Sequence, residues 1–137
     1  MESRIKNSET RQYKVIFPNT LNDHDTLFGG TAMQWMDEVA YITAIRFARN
    51  KMVTVSVDNI HFLAPIVSGT IAEIVGKVIK PGSVKLKILV EIYVEEMLTA
   101  KRIKAVDALF TFAAVNQKNK PIPIEFEDRQ NPAHHHN

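Results

Sequence analysis

The alternation of apolar and polar residues divides the chain into one long helix and five strands. Between positions 31 and 49, apolar residues recur every three or four positions without Gly or Pro, which predicts a helix. Gly29 and Gly30 mark the turn into this helix. Period-two patterns predict strands at 12–17, 52–62, 69–80, 83–95 and 102–116, and Gly76 predicts a β-bulge in the third strand. This order predicts a mainly antiparallel sheet in an α+β fold.

The predicted helix is apolar around most of its circumference, which indicates burial on most sides. Asp37 lies in its middle, four residues after Met33 and three before Ala40, and therefore beside the apolar stripe. A buried, unpaired carboxylate costs on the order of several kcal/mol. Asp37 therefore needs either a partner, such as backbone donors or Arg46, or a chemical role as a general base or nucleophile in a dry pocket. Both interpretations remain open on the sequence.

The length indicates a single domain, and the composition is compatible with a reducing compartment. The 137 residues carry a formal net charge of +2 and no cysteine, which excludes disulfides, Cys-ligated metals and Cys nucleophiles. We expect no signal peptide, no membrane span and no nucleic-acid binding, and hence a cytoplasmic protein. We expect a flexible N-terminus at 1–10, one domain at 11–124 and a flexible tail at 125–137, whose adjacent His residues are incidental, with no metal site.

The loop before the helix and the helix start carry the candidate chemistry. Backbone N–H groups at a helix N-terminus are unpaired and favour negative charge, so Gly30 predicts an oxyanion hole for attack on a carbonyl. Gly29 and Gly30 allow a reacting group to approach the backbone, although a plain turn also explains them. Asn22 is either a turn residue or an amide that holds a carbonyl or a water. Thr54 is either an ordinary strand residue or a hydroxyl that orients the attacking water or steadies Asp37.

The pattern N-x-x-x-x-x-F-G-G-T ahead of a helix carrying M-D-E-V-A resembles the hotdog-fold acyl-CoA thioesterases, and in particular the YciA-like cytosolic acyl-CoA hydrolases. The resemblance extends from about position 12 to 124. It is carried by Pro18, Asn22, Phe28, Gly29, Gly30, Met36, Asp37, Glu38, Val53, Thr54, Val55, Phe62, Pro65, Gly69, Glu95, Phe110, Thr111, Phe112 and Pro121–Pro123. It implies a hotdog fold, in which a curved five-stranded sheet wraps a long central helix. It also implies hydrolysis of acyl-CoA thioesters to free fatty acid and CoA, without a separate cofactor.

The resemblance further implies a site shared between two subunits. Asp37 of one subunit would face Asn22 and Gly30 of its partner, and Thr54 completes the implied catalytic set. The implied substrate-binding residues are Phe28, Gly29, Phe62, Gly82 and Ser83. The acyl chain would lie between the paired helices, with candidate lining from Met33, Trp35, Met36 and Phe62. A homodimer with a continuous sheet is expected, and a trimer of such dimers is the larger assembly considered.

Two segments depart from the family pattern. Asp25 stands where the family often has Gly, and Pro81-Gly82-Ser83-Val84 replaces a G-R-T-S turn, which leaves the contacts to the nucleotide end of CoA open. The basic residues available for the phosphates are Lys80, Lys85, Lys101, Arg102 and Lys104. Two other functions also remain open: a hotdog-fold dehydratase or hydratase, which needs a His with a carboxylate, and a non-catalytic acyl-CoA binding protein.

Overall fold

The computed structural model describes residues 1–125, so the predicted tail lies almost entirely outside the described residues. Within them are two α-helices and five strands. Their bounds are α1 (Glu2–Ser8), β1 (Thr10–Val15), α2 (Gly29–Ala48), β2 (Met52–Phe62), β3 (Thr70–Pro81), β4 (Lys85–Glu96) and β5 (Arg102–Ala114). All strand pairs are antiparallel, in the order β1-β3-β4-β5-β2. The predicted α+β fold, with one long helix on a five-stranded sheet, is confirmed.

One face of α2 packs across the sheet and forms the core. The buried positions of that face are Ala32, Met36, Val39, Ala40, Thr43, Ala44, Phe47 and Ala48. Alternate residues of the two central strands meet it and are fully buried, as the pleat requires. They include Leu86, Ile88, Val90 and Ile92 of β4 and Phe110 and Phe112 of β5. None of the described helices combines the length and the hydropathy needed to cross a membrane.

Gly76 gives α2 the space to lie close to the sheet. It pairs in register with Val90, so the predicted bulge at Gly76 is wrong, and the irregularity of β3 lies further along the strand. A Cβ atom at Gly76 would come within 2.6 Å of the Thr43 hydroxyl oxygen and 2.9 Å of Cγ1 of Val39. The helix–sheet contact, not the strand geometry, therefore requires glycine here.

The N-terminal segment is ordered against α2, contrary to the expectation for residues 1–10. Arg4 of α1 is buried, and its Nε donates to the backbone carbonyl oxygen of Phe47 at 2.8 Å. In the opposite direction, Arg46 of α2 donates to the carbonyl oxygens of Asn7 at 2.6 Å and Glu9 at 2.8 Å. The polar composition suggested disorder, but an arginine can bury its aliphatic stem while its guanidinium satisfies carbonyls near a helix end.

Strand β2 is an edge of the sheet and pairs with β5 alone among the described strands. It carries exposed apolar side chains at Val53, Val55, Ile60 and Phe62. Its register against β5 shifts twice, and Asn59, inside the second shift, has a φ of 52°. An edge strand presents unpaired backbone N–H and C=O groups, so a long edge with apolar side chains is suited to pairing with another chain.

Candidate active site

Asp37 of α2 and Thr54 of β2 lie side by side. The Thr54 hydroxyl donates to Oδ1 of Asp37 at 3.4 Å. Asp37 is exposed in the single chain, so the prediction of a buried carboxylate is wrong for one subunit alone. Met36 is fully buried in the core, and one step along an α-helix turns the side-chain direction by about 100°. Asp37 therefore points to the side of α2 that the sheet of its own chain leaves uncovered.

This uncovered side of α2 also carries apolar surface. Tyr41 is 47% exposed, and Phe28, immediately before the helix, is 52% exposed. Arg46, the basic partner considered for Asp37, is instead bound to the segment between α1 and β1. Within residues 1–125, only Thr54 forms a hydrogen bond with the Asp37 carboxylate. The apolar, uncovered helix face and the edge strand β2 together have the character of an interface.

Asn22 closes the loop that precedes α2. Its Oδ1 accepts hydrogen bonds from the backbone N–H groups of His24 at 2.9 Å and Thr26 at 3.1 Å, and from the Thr26 hydroxyl at 3.1 Å. This network assigns the orientation of the amide, and it leaves Nδ2 without an acceptor among the described residues. Asn22 is therefore the predicted turn residue and also retains a free amide donor.

The same loop explains one departure from the family pattern. Asp25 has a φ of 61°, in the left-handed region that glycine adopts without steric cost. Aspartate is among the residues that tolerate this region best. Asp25 can therefore take the place of the family's glycine without a change in the backbone conformation of the loop.

The start of α2 presents unpaired backbone donors. The N–H of Ala32, which lies 3.0 Å from the carbonyl oxygen of Phe28, is the first in the helix to have an intrahelical acceptor. The N–H groups of Gly29, Gly30 and Thr31 precede it and are free of the helix ladder. At Gly30 a Cβ atom would meet nothing within 4 Å, and the φ is not positive. Neither packing nor backbone conformation in this chain requires glycine there, so the open space favours an approaching group from outside.

Asp37 lies about two helical turns beyond the helix start of its own chain. Gly30 and Asp37 are seven positions apart, which corresponds to about 10 Å along the helix axis. A catalytic base must lie within hydrogen-bond reach of its target, directly or through one water. This separation favours a site in which the two groups come from different chains.

Phe62 and Gly29 border a cavity beside the helix start. The Phe62 ring is 58% exposed, and its Cζ lies 3.5 Å from the place where a Cβ of Gly29 would stand. The cavity has a volume of about 290 Å³. Its wall combines polar and apolar surface, and the apolar residues in it include Leu27, Ala32, Ala64, Ile66 and Val106. Two of the predicted substrate-binding residues are thus adjacent, at the end of α2 where the unpaired N–H groups lie.

Gly82 and Ser83 lie elsewhere, in the turn between β3 and β4. The Gly82 N–H donates to the carbonyl oxygen of Lys85 at 2.9 Å, and a Cβ at Gly82 would come within 2.6 Å of that oxygen. The carbonyl oxygen of Ser83 accepts from the N–H of Ile124 at 2.6 Å. This turn adjoins the end of β5, whereas Phe62 pairs near the start of β5. A single chain does not bring these residues together, and their role in binding stays a prediction.

A charged network on the outer face of the sheet was missed by the sequence analysis. Glu73 is buried and accepts hydrogen bonds from the Tyr13 hydroxyl at 2.7 Å and from Arg11 at 2.9 Å, and it forms an ion pair with Arg102. Burial acts to raise the pKa of Glu73, but the hydrogen bonds from Tyr13, Arg102 and Arg11 outweigh it and hold the pKa below its ordinary value. The network ties together β1, β3 and β5.

The same outer face holds the His–carboxylate pair that a dehydratase would need. Nδ1 of His61 lies 2.7 Å from Oδ1 of Asp107. Because side chains alternate along a strand and Phe62 packs against the start of α2, His61 points away from that helix. The pair lies across the sheet from Asp37, so its position does not favour the dehydratase alternative.

Ion pairing narrows the set of candidate phosphate contacts. Arg102 is paired with Glu73, and Lys104 is paired with Glu91 at 3.1 Å and Asp107 at 3.2 Å. Across the described part of the chain, no ion pair is formed by Lys80, Lys85 or Lys101. In residues 1–125, no three His, Cys, Asp or Glu side chains are grouped so as to hold a metal ion.

The chain is similar to known proteins in both sequence and structure. Residues 24–101 match the family model described as the thioesterase superfamily. The chain is 33% identical over 119 residues to the uncharacterized acyl-CoA thioester hydrolase YkhA of Bacillus subtilis, covering 87% of this chain and 69% of that protein. It is 31% identical over 116 residues to the acyl-CoA thioester hydrolase YciA of Escherichia coli, covering 81% of this chain and 88% of that protein.

Solved structures of similar fold include an acyl-CoA hydrolase and a thioesterase. An acyl-CoA hydrolase from Staphylococcus aureus, in complex with butyryl-CoA, CoA and CoA disulfide, superposes with a TM-score of 0.83 at 33% identity, over 89% of this chain and 74% of that chain. The hexameric thioesterase y2039 from Yersinia pestis superposes with a TM-score of 0.76 at 31% identity, over 83% of this chain and 93% of that chain.

Variants of the Staphylococcus aureus enzyme have also been crystallised, in which an Asn, an Asp or a Thr is replaced by Ala. In that enzyme the Asn and the Asp are 15 positions apart and the Asp and the Thr are 17 positions apart. Asn22, Asp37 and Thr54 have the same two spacings. The family match, the relatives and the fold agree with the resemblance read from the sequence, and the chain belongs to the thioesterase superfamily.

Proposed function

We propose that the protein hydrolyses acyl-CoA thioesters to a carboxylic acid and CoA in the cytoplasm, at sites formed between two subunits. The observation that carries the proposal is the position of Asp37. Its carboxylate lies beside Thr54 on the uncovered face of α2, about 10 Å along the helix from the unpaired N–H groups of its own chain. A second copy that covers this face supplies both the missing burial and the missing donors. The acyl-CoA thioester hydrolases among the relatives support the choice of substrate.

The edge strand β2 is the proposed site of subunit pairing. Antiparallel pairing of β2 with its copy satisfies the backbone groups of the edge and covers Val53, Val55 and Tyr41, which are exposed in one chain. Such an interface is isologous, so each subunit gives Asp37 to one site and its helix start to the other. Three such dimers form the proposed hexamer, by analogy with the hexameric thioesterase of Yersinia pestis.

The reaction needs a nucleophile and a stabilised oxyanion. Asp37 either takes a proton from the attacking water or attacks the thioester carbonyl itself, and the Thr54 hydroxyl holds the carboxylate in position. As the tetrahedral intermediate forms, negative charge develops on the carbonyl oxygen. The N–H of Gly30 and the amide Nδ2 of Asn22, both from the other subunit, donate to that oxygen. Collapse of the intermediate breaks the C–S bond, and CoA leaves as a thiolate that is then protonated. On the route of direct attack, the acyl group is left on Asp37 as a mixed anhydride, which water hydrolyses to the carboxylic acid and free Asp37.

The first test follows the release of free CoA with a thiol reagent, using a series of acyl-CoA substrates. The protein has no cysteine and therefore gives no background thiol signal. We expect turnover by the native protein and a fall of at least about a hundredfold for Asp37→Asn, the range of general base catalysis. Glu38→Gln is the matched control, because Glu38 is the neighbouring exposed carboxylate and contacts Gln12 instead of β2.

The outcomes separate the alternatives. Wild-type turnover by Asp37→Asn contradicts the proposed mechanism. Tight binding of CoA without turnover of any substrate indicates a non-catalytic binding protein. Formation of an enoyl product from a 3-hydroxyacyl-CoA indicates a dehydratase.

A further inference from the structure

The end of strand β2 contains a β-bulge that sets the direction of its last side chains. Asn59 and Ile60 together stand opposite Ala108 of β5, between the regular register pairs on either side. Asn59 has a φ of 52°, in the left-handed region that asparagine tolerates. One extra residue reverses the alternation of side chains along a strand. The bulge therefore decides which faces of the sheet His61 and Phe62 occupy.

The bulge places Phe62 on the side of the sheet that faces α2. Residues paired directly across two antiparallel strands point to the same face. Phe62 pairs with Val106, whose side chain is buried in the core, and the Phe62 ring lies beside Gly29 at the helix start. His61 pairs with Asp107 and points to the opposite, outer face. Removal of the bulge would reverse this arrangement and turn Phe62 away from α2.

The backbone hydrogen bonds after the bulge discriminate only weakly between these two registers. The N–H groups of Leu63 and Ala64 both donate to the carbonyl oxygen of Ala105, at 2.7 Å and 3.2 Å. A slip by one residue therefore still leaves this acceptor with a donor. Among the described strands, β2 pairs with β5 alone, so no second ladder within the chain fixes its register. A side-chain contact is therefore needed to favour one register over the other.

His61 and Asp107 form such a contact. Nδ1 of His61 lies 2.7 Å from Oδ1 of Asp107. Nζ of Lys104 also holds the Asp107 carboxylate, at 3.2 Å, and bridges it to Glu91 at 3.1 Å. Burial acts to raise the pKa of Asp107, but the hydrogen bonds from His61 and Lys104 outweigh it and hold the pKa below its ordinary value. Asp107 is thus a fixed, ionised acceptor, and without the bulge the apolar Ile60 would replace His61 opposite it.

We propose that His61 and Asp107 are positioning residues, whose hydrogen bond selects the register of β2 that turns Phe62 towards the helix start. The inference rests on the proposed function, in which Phe62 and Gly29 border the substrate site. His61 and Asp107 lie on the outer face and act through the Phe62 ring. The pair is partly exposed and adds little to the stability of the whole fold. A small difference is enough, however, to choose between two registers with similar backbone bonding.

The test moves the histidine by one position along β2. The double variant Ile60→His/His61→Ile keeps the composition and offers the imidazole to Asp107 in the register without the bulge. His61→Val removes the donor, whereas His61→Asn keeps it, because the amide nitrogen of asparagine stands as many bonds from Cα as Nδ1 does. Ser56→Ala is the matched control, because the Ser56 hydroxyl donates to Asp58 of the same strand, at 3.2 Å.

Two measurements separate the register from the activity. A fluorine label on the Phe62 ring reports by NMR whether the ring lies at the helix start or on the outer face, and this needs no turnover. The thiol-release assay gives kcat and KM for acyl-CoA. If substrate binds only the molecules in the native register, KM rises as their fraction falls and kcat is kept. Circular dichroism and light scattering check that each variant is folded and assembled.

We expect one dominant fluorine signal, at the native position, in the native protein, His61→Asn and Ser56→Ala. The ratio of the outer-face signal to the native signal should rise about threefold in His61→Val, as for the loss of an exposed charged pair. In the double variant it should rise at least about tenfold, because the native contact is lost and the competing one is gained. KM should rise in parallel with this ratio.

Native spectra in both His61→Val and the double variant overturn the register assignment and leave the hydrolase proposal standing. A changed spectrum with a native KM overturns the positioning role. If the double variant does not fold, equal spectra for His61→Val and His61→Asn contradict the proposal, and a native spectrum in His61→Asn alone supports it. If the native protein turns over no acyl-CoA, the proposed function fails, whereas the spectra still support or overturn the selection of the register by His61.

Discussion

The Thr54 hydroxyl oxygen lies 3.4 Å from Oδ1 of Asp37, so a strand residue and a helix residue 17 positions apart meet on the uncovered face of the chain. The distance is at the long end for a hydrogen bond between a hydroxyl and a carboxylate. Catalytic hydrogen bonds are often long in unliganded proteins and shorten in the substrate complex. We therefore assign Thr54 to the positioning of Asp37, and not to direct contact with the substrate.

Replacing Thr54 by Val tests this assignment, because Val keeps the shape of the side chain and removes the hydroxyl. We expect kcat for acyl-CoA hydrolysis to fall about tenfold, as for the loss of one hydrogen bond to a charged group, with little change in KM. Thr54→Ser restores the hydroxyl and should recover most of kcat. Equal losses for Val and Ser would assign Thr54 a packing role only.

Substitution by alanine should lower the stability of the protein at Gly76, whereas at Gly30 it should lower the thioesterase activity and leave the stability unchanged. Gly76→Ala places a Cβ atom 2.6 Å from the Thr43 hydroxyl, so we expect a loss of about 1–3 kcal/mol in the free energy of unfolding. Gly30→Ala meets nothing within 4 Å and lies in a helix, so its stability should be unchanged or slightly raised. Its thioesterase activity should nevertheless fall, because the methyl group obstructs the approach of the carbonyl.

Urea unfolding and the thiol-release assay check the two variants side by side. A Gly30→Ala protein with full activity would show that no reacting group approaches that backbone. A Gly76→Ala protein of native stability would show that α2 can move away from the sheet without cost.

Much of this fold follows from local sequence pattern, because each element obeys its own period. The long helix and β2 to β5 were predicted to within a few residues. The exposure of Asp37 was not predicted from the sequence. An apolar helix is expected to be buried, but its sequence does not show whether the chain's own sheet or a second subunit buries it. The network around Glu73 was also missed, since it depends on strand register, which brings Arg11, Tyr13 and Arg102 together from distant positions.

Some features of the candidate site could likewise be predicted from the sequence and others could not. Asn22, Gly30 and Asp37 stand out in the sequence through residue type and family resemblance. The cavity beside Gly29 cannot be recognised in the sequence, because it depends on how the segment after Phe62 folds back towards the helix start. The packing of α1 against α2 was not predicted for a similar reason, since the carbonyl oxygen that accepts from Arg4 lies 43 positions further along the chain.

A charge on the edge strand should separate the subunits. Val55 is 47% exposed in the single chain and lies at a register shift of β2. In the proposed dimer, Val55→Glu buries one carboxylate from each subunit without a partner, which is strongly unfavourable. We expect light scattering to show a smaller assembly and the thioesterase activity to be lost. Leu98→Glu, at a tip residue that is 97% exposed, is the control and should remain assembled and active. A fully active Val55→Glu monomer would rule out a shared site.

The buried carboxylate of Glu73 should make the free energy of unfolding depend on pH. Its hydrogen bonds hold its pKa below the ordinary value of 4.5, so its stabilising contribution is complete above that value and is lost as the pH falls through the lowered pKa. We expect Glu73→Gln to reduce the free energy of unfolding by about 2 kcal/mol at pH 7 and by progressively less below pH 4.5. Glu96→Gln, at an exposed position, should follow the native curve. A difference between native and Glu73→Gln that is independent of pH would refute the assignment.

The shared site can be tested most directly by mixing two inactive variants. Asp37→Asn and Asn22→Ala are prepared separately and then combined under conditions that allow the subunits to exchange. If each site takes Asp37 from one subunit and Asn22 from the other, every mixed dimer contains one intact site, and random pairing restores about a quarter of the native activity. If the mixture stays as inactive as its two components although mixed dimers have formed, the two residues act within one chain and the account of the site is wrong.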